Sequence, residues 1–360
     1  MKAYIADRAA LLHNLHVVQE KAAGTPVWAV LKGNGYGLGL EAMAALCREA
    51  GLTRFAVTEP ADVRRLRQAG FSGEQILMLR PTAEPAELQV LLENDAVCTV
   101  GSAEDAQALS RMAAELHCTA RVHIKVDTGM GRYGFLPADL TGMEEVYGVP
   151  GLQVTGIFTH FYAAFCSEAA TRAQFRQFLD VTDALRQAGF DPGERHCANS
   201  SALFRFDDMR LDGVRVGSAI LGRLSFPTEL QRVGYCEATV EQLHRIPQGQ
   251  STGYGAGWTA RRDTQAAIVS VGYYHGFGVE RGNDLFRFRD GVRGILHWIR
   301  AVLQKKTIRV TVAGQSCPVI GHIGMLHTAI DVTDIACSPG DTVVLDINPL
   351  LLKDMQVVFR

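Results

Sequence analysis

Short runs of branched apolar residues alternate with stretches of helical period along the first two-thirds of the chain. The runs are Val27 to Leu31, Phe55 to Thr58, Ile76 to Leu79, Ala96 to Val100, Ala120 to Val126, Gln153 to Thr159, Arg195 to Ala198 and Asp212 to Val216. Apolar runs of this length read as strands buried on both faces. Between them, Leu40 to Gly51, Glu59 to Gly70, Ala103 to Leu116 and Glu168 to Gly189 carry helical period. Most end near a glycine, and Pro60 occupies the first turn of one. Eight strands alternating with helices predict an α/β fold, a (β/α)8 TIM-like barrel, although an open doubly wound sheet would show the same alternation. The polar residues favour the barrel. Lys32, His160, Asn199, Ser200 and Gly217 each fall just beyond the carboxyl end of a strand, where a barrel gathers its chemistry.

The texture changes after about residue 227. Runs of strand type punctuated by glycine take over, at Ala266 to Val271, Ile308 to Val312, Pro318 to Ile320 and Thr342 to Leu345. Residues 1–227 are therefore expected to form the barrel and 228–360 a mostly β domain, with the first few residues of the chain free to pack with the second. Within the β domain, Phe288, Val292, Ile295, Leu296, Ile299, Val302 and Leu303 recur at helical spacing beside six basic residues. An amphipathic helical insertion over Phe286 to Lys306 is expected, docked on its own domain or on a partner subunit. Contact with an anionic membrane is the weaker reading.

Composition narrows the class. Basic and acidic residues nearly balance at 36 and 38, which argues against a nucleic-acid partner. Eight cysteines without a CxxC pair argue against a zinc site or a disulfide framework, so no metal is expected. The amino terminus lacks the apolar run of a signal peptide, and no stretch has eighteen uninterrupted apolar residues. A soluble cytoplasmic protein is the expectation.

The most informative stretch is Val27-Trp28-Ala29-Val30-Leu31-Lys32-Gly33-Asn34-Gly35-Tyr36-Gly37. It delivers a lysine to the end of a buried strand where three glycines open the backbone. A lysine so placed can lose its charge by desolvation and attack a carbonyl, as in a Schiff base with pyridoxal phosphate (PLP). A surface lysine after a tight turn fits this segment alone equally well.

Six elements taken together resolve that ambiguity. Ala29 to Gly37, Lys125-Val126-Asp127-Thr128-Gly129-Met130-Gly131-Arg132, Thr159-His160-Phe161, Ala198-Asn199-Ser200, Val214-Arg215-Val216-Gly217 and Gly253-Tyr254-Gly255 resemble, in order and spacing, the alanine racemases. The resemblance spans nearly the whole chain. It implies a PLP-dependent amino-acid racemase, with active sites shared across a homodimer and a small amino acid as substrate. Lys32 would hold the cofactor and serve as one acid/base. Tyr254 of the other subunit would serve on the opposite face, since a single fixed group would tend to return the proton where it was taken. A free tyrosine is a poor base near neutrality, and His160 resembles the residue that supports this phenol.

Arg215 is placed by the resemblance at the pyridine nitrogen. A guanidinium only donates, so the nitrogen stays unprotonated and the electron sink is weakened, which suits an enzyme that only moves the α-proton. Ser200, Tyr36 and the backbone N–H groups of Gly217 and Ser218 would hold the phosphate. Arg132 would orient the substrate carboxylate, and Lys125 resembles a lysine that many relatives carbamylate. Met325 would grip the carboxylate through its backbone, and Tyr273 would line the access channel.

The departures from the family pattern concern specificity. Met325-Leu326 stands for Met-Asp, His322 for an arginine, Gly272-Tyr273-Tyr274-His275-Gly276 for Gly-Tyr-Ala-Asp-Gly and Phe165 for an acidic residue, and no late tyrosine precedes Arg360. A wider or more apolar gate is expected. Alanine leads as substrate, with serine or a larger amino acid behind it. A PLP-dependent decarboxylase on the same plan would place an acid, not Arg215, at the pyridine nitrogen, and a silent PLP-binding protein would leave Tyr254 without a task.

Overall fold

A computed structural model describes residues 1–279, 291–292, 294–296, 299 and 307–360. Most of the basic amphipathic stretch expected at Phe286 to Lys306 lies outside the described residues. The chain divides into two compact units, Arg8–Val233 and a second built from Met1–Asp7 with Gly234–Arg360.

The first unit is the barrel. Its strands are β2 (Val27–Val30), β3 (Arg54–Val57), β4 (Gln75–Met78), β5 (Cys98–Val100), β6 (Ala120–Lys125), β7 (Leu152–Phe158), β8 (Glu194–His196) and β9 (Val214–Val216), with β1 reserved for Lys2–Ala6. They form two parallel four-stranded sheets, ordered β4-β3-β2-β9 and β5-β6-β7-β8. Parallel bridges Leu77↔Val97 and His196↔Gly213 join the two sheets at both seams, so the strands close into a ring and the open-sheet alternative is excluded. Helices between the strands cover the outside, as right-handed parallel crossovers require. Ser102, Asp139, Ser167 and Asn199 each cap a helix through a side-chain oxygen. One irregularity bears on the site: β7 carries a bulge against β6, where Val122 pairs with Val154 but His123 pairs with Gly156.

In the second unit, β10 (Gly234–Ile246) is the organising strand. Residues 236–239 pair with β17 (Thr342–Leu345), and from Val240 onward the strand pairs with β13 (Thr264–Val269). This change of partner closes a six-stranded antiparallel ring through β16 (Thr328–Asp331), β15 (Gln315–Ile320) and β14 (Arg309–Val312). Its interior is filled by Val240, Val269, Phe277, Val312, Ile330, Leu345 and their neighbours. β1 adds to the free edge of β10, and β18 (Gln356–Phe359) pairs with β1 in parallel. The amino-terminal strand is thus part of the β unit although the next helix, Arg8–Ala22, belongs to the barrel. Among the described residues no helix is long and apolar enough to cross a membrane, and no group of His, Cys, Asp or Glu could hold a metal ion.

Candidate active site

Strand β2 is buried throughout, and Lys32 follows its last residue by two positions. The next four residues all adopt left-handed backbone angles, with φ of 62° at Gly33, 55° at Asn34, 62° at Gly35 and 56° at Tyr36. Glycine takes this conformation freely and asparagine tolerates it. A tyrosine at positive φ is an outlier that costs on the order of 1–3 kcal/mol, and such outliers concentrate at functional sites. The turn folds the Tyr36 ring back so that its hydroxyl lies against Gly217, at a spot where any Cβ would collide with it. Ser200 Oγ accepts from the N–H of Gly217 (3.0 Å) and of Ala219 (3.3 Å), which leaves the serine proton for a further acceptor. The Gly217 N–H is therefore shared with Ser200 in this arrangement. Together Tyr36, Ser200 and the Gly217-Ser218 turn make a donor-lined cradle after the seventh and eighth barrel strands, a place suited to a phosphate.

Electrostatics at the barrel mouth are strongly basic. Partial burial and then the Arg132 charge lower the Lys32 pKa. Lys125 is 5% exposed, and burial, with the charges of Arg215 and Arg132, brings its amine down to about 7. Its Nζ lies 4.5 Å from the centre of the Phe158 ring. His160, just beyond β7, is held well below its ordinary pKa by burial and then by the charges of Arg215, Lys125, Lys32 and Arg132, so it is neutral. Burial raises the Tyr36 phenol to about 12, which keeps it a donor. Arg132 sits on a loop that Asp127 organises, its carboxylate accepting from the N–H of Gly129, Gly131 and Arg132.

Arg215 is buried and makes no contact with a carboxylate among the described residues. Nη1 donates to His196 Nδ1 (2.8 Å) and to the His196 carbonyl (2.8 Å), while Nη2 donates to the carbonyls of Thr159 (2.6 Å) and Cys197 (3.5 Å). Even with burial lowering its pKa to about 10, the group stays charged at neutral pH.

The structure thus brings together Lys32, Tyr36, Lys125, Arg132, His160, Ser200, Arg215, Gly217 and Ser218 at one end of the barrel. Tyr254, Tyr273 and Met325 belong to the β unit, all three exposed. Tyr254 stands on the turn Gly253–Gly257, in which Gly253, Gly255 and Ala256 have positive φ. The turn carrying Tyr273 is fastened to the loop of Met325, the N–H groups of Tyr273 and Tyr274 donating to the carbonyls of Gly324 and Met325.

Five further contributors were assigned no role of their own from the sequence. Gln174 is buried and ties two mouth loops together, donating to Thr128 Oγ1 (3.1 Å) and to the His160 carbonyl (3.3 Å) while accepting from the Tyr162 N–H. Thr159 and Thr128 share a hydroxyl hydrogen bond of 2.7 Å. His196 and His123 continue inward from Arg215. A histidine inside an apolar strand was the one signal on offer, and alone it points more often to core than to function.

The Lys125 shift sets a pH dependence. Between about 7 and the ordinary lysine value of 10.5 the unfolded chain binds a proton that the fold gives up, so stability rises with pH through that window. In carbon-dioxide-free buffer Lys125→Met is expected to stabilise the fold, on the order of a few kcal/mol near pH 6 and progressively less towards pH 10. Thermal denaturation of both proteins across that range checks it, and a pH-independent difference would refute it.

The residues present fit pyridoxal phosphate: an amine of lowered pKa, a phosphate-sized set of donors, and a donor-only cation with its Nε–H untaken among the described residues. Comparisons with known proteins agree. Residues 6–225 match the family model described as alanine racemase, N-terminal domain, and residues 233–349 the one described as alanine racemase, C-terminal domain. The chain is 34% identical over 281 residues to the alanine racemase of Desulforamulus reducens, covering 74% of this chain and 75% of that one. It is 32% identical over 361 residues to that of Desulfosudis oleivorans, covering 94% and 85%. In fold it resembles the solved alanine racemase of Clostridium difficile 630, with a TM-score of 0.85, 24% identity and coverage of 100% and 95%. It also resembles a histidine racemase from Leuconostoc mesenteroides, with a TM-score of 0.84, 23% identity and coverage of 100% and 98%. Matched along both of its units, the chain belongs to the alanine racemase family and is a pyridoxal-phosphate-dependent amino-acid racemase.

Proposed function

We propose that this racemase interconverts L- and D-alanine by moving the α-proton between Lys32 on one face and Tyr254 of a second subunit on the other, in a cytoplasmic homodimer. The observation that carries this reading is Arg215, a buried guanidinium held by carbonyls and an imidazole and free of carboxylate contact among the described residues. Facing a pyridine nitrogen it would keep that nitrogen unprotonated and limit the chemistry to proton exchange. An acid at that place would have favoured the decarboxylase alternative.

Bound pyridoxal phosphate would supply an electron sink that makes the substrate α-hydrogen acidic. This chain's own groups do the rest. Tyr36, Ser200, Gly217 and Ser218 would hold the phosphate, and Arg215 would offer a donor to the ring nitrogen. Arg132 and the Met325 backbone orient the substrate carboxylate, with Tyr273 lining the approach. Lys32, its pKa already lowered, takes or returns the proton on its face. Neutral His160 hydrogen-bonds the Tyr254 phenol. Lys125 is neutral enough near pH 7 to take up carbon dioxide, and as a carbamate it would place an anion beside Arg132. Both units expose large apolar side chains among the proposed site residues and their neighbours: Tyr133, Tyr162 and Phe165 on the barrel, Tyr254, Met325 and Leu326 on the β unit. Apolar surface of this kind supports association with a second copy.

A second reading, racemisation of serine or a larger amino acid, draws support from a recess of about 420 Å³ beside Tyr254, lined in part by Ile268, Ile320, His322 and Ala329. Initial rates over a panel of L-amino acids decide between them. Alanine is expected to give the highest kcat/KM, with serine next and no carbon dioxide released. A profile led by a larger side chain would reject alanine.

A further inference from the structure

Two buried histidines outside the proposed chemistry complete a line of hydrogen bonds that starts at Arg215. His196 Nδ1 meets Arg215 Nη1 at 2.8 Å, and His196 Nε2 meets His123 Nδ1 at 2.8 Å. Both imidazoles are almost fully buried, at 0% and 2% exposure. The proton inventory of this line has one solution. Arginine has no acceptor, so His196 Nδ1 must accept. A neutral ring then carries its proton on Nε2, which donates to His123 Nδ1, and His123 in turn carries its proton on Nε2. An imidazolium at either position would present a second donor where an acceptor is required.

The surroundings hold the line in register. The His196 ring stacks on Phe158 (centroids 4.9 Å apart, planes 15° apart) and faces Trp28 on a parallel course (6.2 Å, 23°), so it cannot turn over without displacing an aromatic neighbour. Phe158 also lies under the Arg215 guanidinium, 5.0 Å from its centre. The bulge in β7 sets Gly156 opposite His123, where a Cβ would stand 2.7 Å from His123 Nε2. The missing side chain is what admits the ring.

We propose that His196, braced by His123, is the positioning residue of Arg215, a neutral acceptor that fixes the guanidinium so that its Nε–H faces the cofactor with the full positive charge undiminished. A carboxylate in the place of His196 would hold the same geometry but pair the charge. Four of the five guanidinium protons are occupied by His196, Thr159 and Cys197, and the untaken one is the one the cofactor would need. This rests on the PLP reading given above.

The test combines a spectrum with kinetics. In the cofactor-free protein carrying ¹⁵N-labelled histidine, two imidazoles are expected to be neutral, in the Nε2–H form, and untitrated across the folded pH range. His196→Leu should delete one and shift the other. In the holoenzyme, His196→Leu should lower kcat on the order of ten- to a hundred-fold, with a smaller change in KM and a larger fraction of turnovers ending in amino transfer to the cofactor. His196→Asn, whose side-chain oxygen can stand in for Nδ1, should recover most of that loss. Imidazolium or Nδ1–H signals for these two residues, or wild-type kcat and partition in His196→Leu, would overturn the proposal. If His196→Leu does not fold, the wild-type spectrum still decides. Failure of the PLP reading would show separately, as a wild-type protein without a cofactor absorbance band.

Discussion

Lys32→Ala is expected to abolish covalent attachment of the cofactor and to lower racemisation by at least about a thousand-fold, the order that loss of a positioned acid/base together with the imine link implies. The visible absorbance of the lysine imine should vanish, while PLP still binds without a covalent bond, because Tyr36, Ser200 and Arg215 remain in place. The barrel offers a competitor, since Lys125 is also an amine of depressed pKa at the same mouth. The two differ in access. Lys125 is 5% exposed between two arginines, whereas Lys32 stands at the open end of β2 beside the phosphate cradle. Borohydride reduction followed by peptide mapping should therefore place the label on Lys32. Label on Lys125, or an absorbance band that survives Lys32→Ala, would assign the attachment elsewhere.

How far such a site can be foreseen depends on what a residue's neighbours in sequence reveal. The eight barrel strands were legible because burial on both faces leaves continuous apolar runs, and their observed limits lie within about two residues of the predicted ones. β1 and β10 were not. Lys2–Ala6 is short and mixed, and Gly234–Ile246 changes partners along its length, so that neither shows one clean alternation. The helix Ser200–Arg205 has six residues, too few for a period to emerge, and it stands on the Asn199 cap. At the site, Lys32, Arg132, Ser200 and Gly217 announced themselves through glycine-rich or capped segments just past strands. His196 and His123 did not, because a polar residue that points into a barrel has the same sequence neighbours as one packed in a core. Only the ring closure at His196↔Gly213 and the bulge at Gly156, both properties of the folded chain, bring those two histidines into line with the donor-only Arg215 and give them a meaning.

Tyr254→Phe is expected to leave the cofactor bound and to lower racemisation on the order of a hundred- to ten-thousand-fold, because one of two opposed acid/bases is gone. The loss should be one-sided. In deuterium oxide the α-hydrogen of one alanine enantiomer, the one facing Lys32, should still exchange, while exchange from the other falls with racemisation. Equal loss for both enantiomers would mean that Tyr254 acts otherwise than as the second acid/base. Tyr254 is 79% exposed on its own chain, an unusual state for a group that must hold a tuned proton, and its burial by a second subunit is what the shared-site reading requires. Co-expression of Lys32→Ala with Tyr254→Phe chains separates the two arrangements. If the site is shared, each mixed dimer joins the intact lysine of one chain to the intact tyrosine of the other and so contains one complete site and one doubly defective one. Half of all dimers are mixed, and half of their sites work, which predicts roughly a quarter of wild-type activity. A site completed within one chain has no such rescue, and the mixture would stay as inactive as either variant alone.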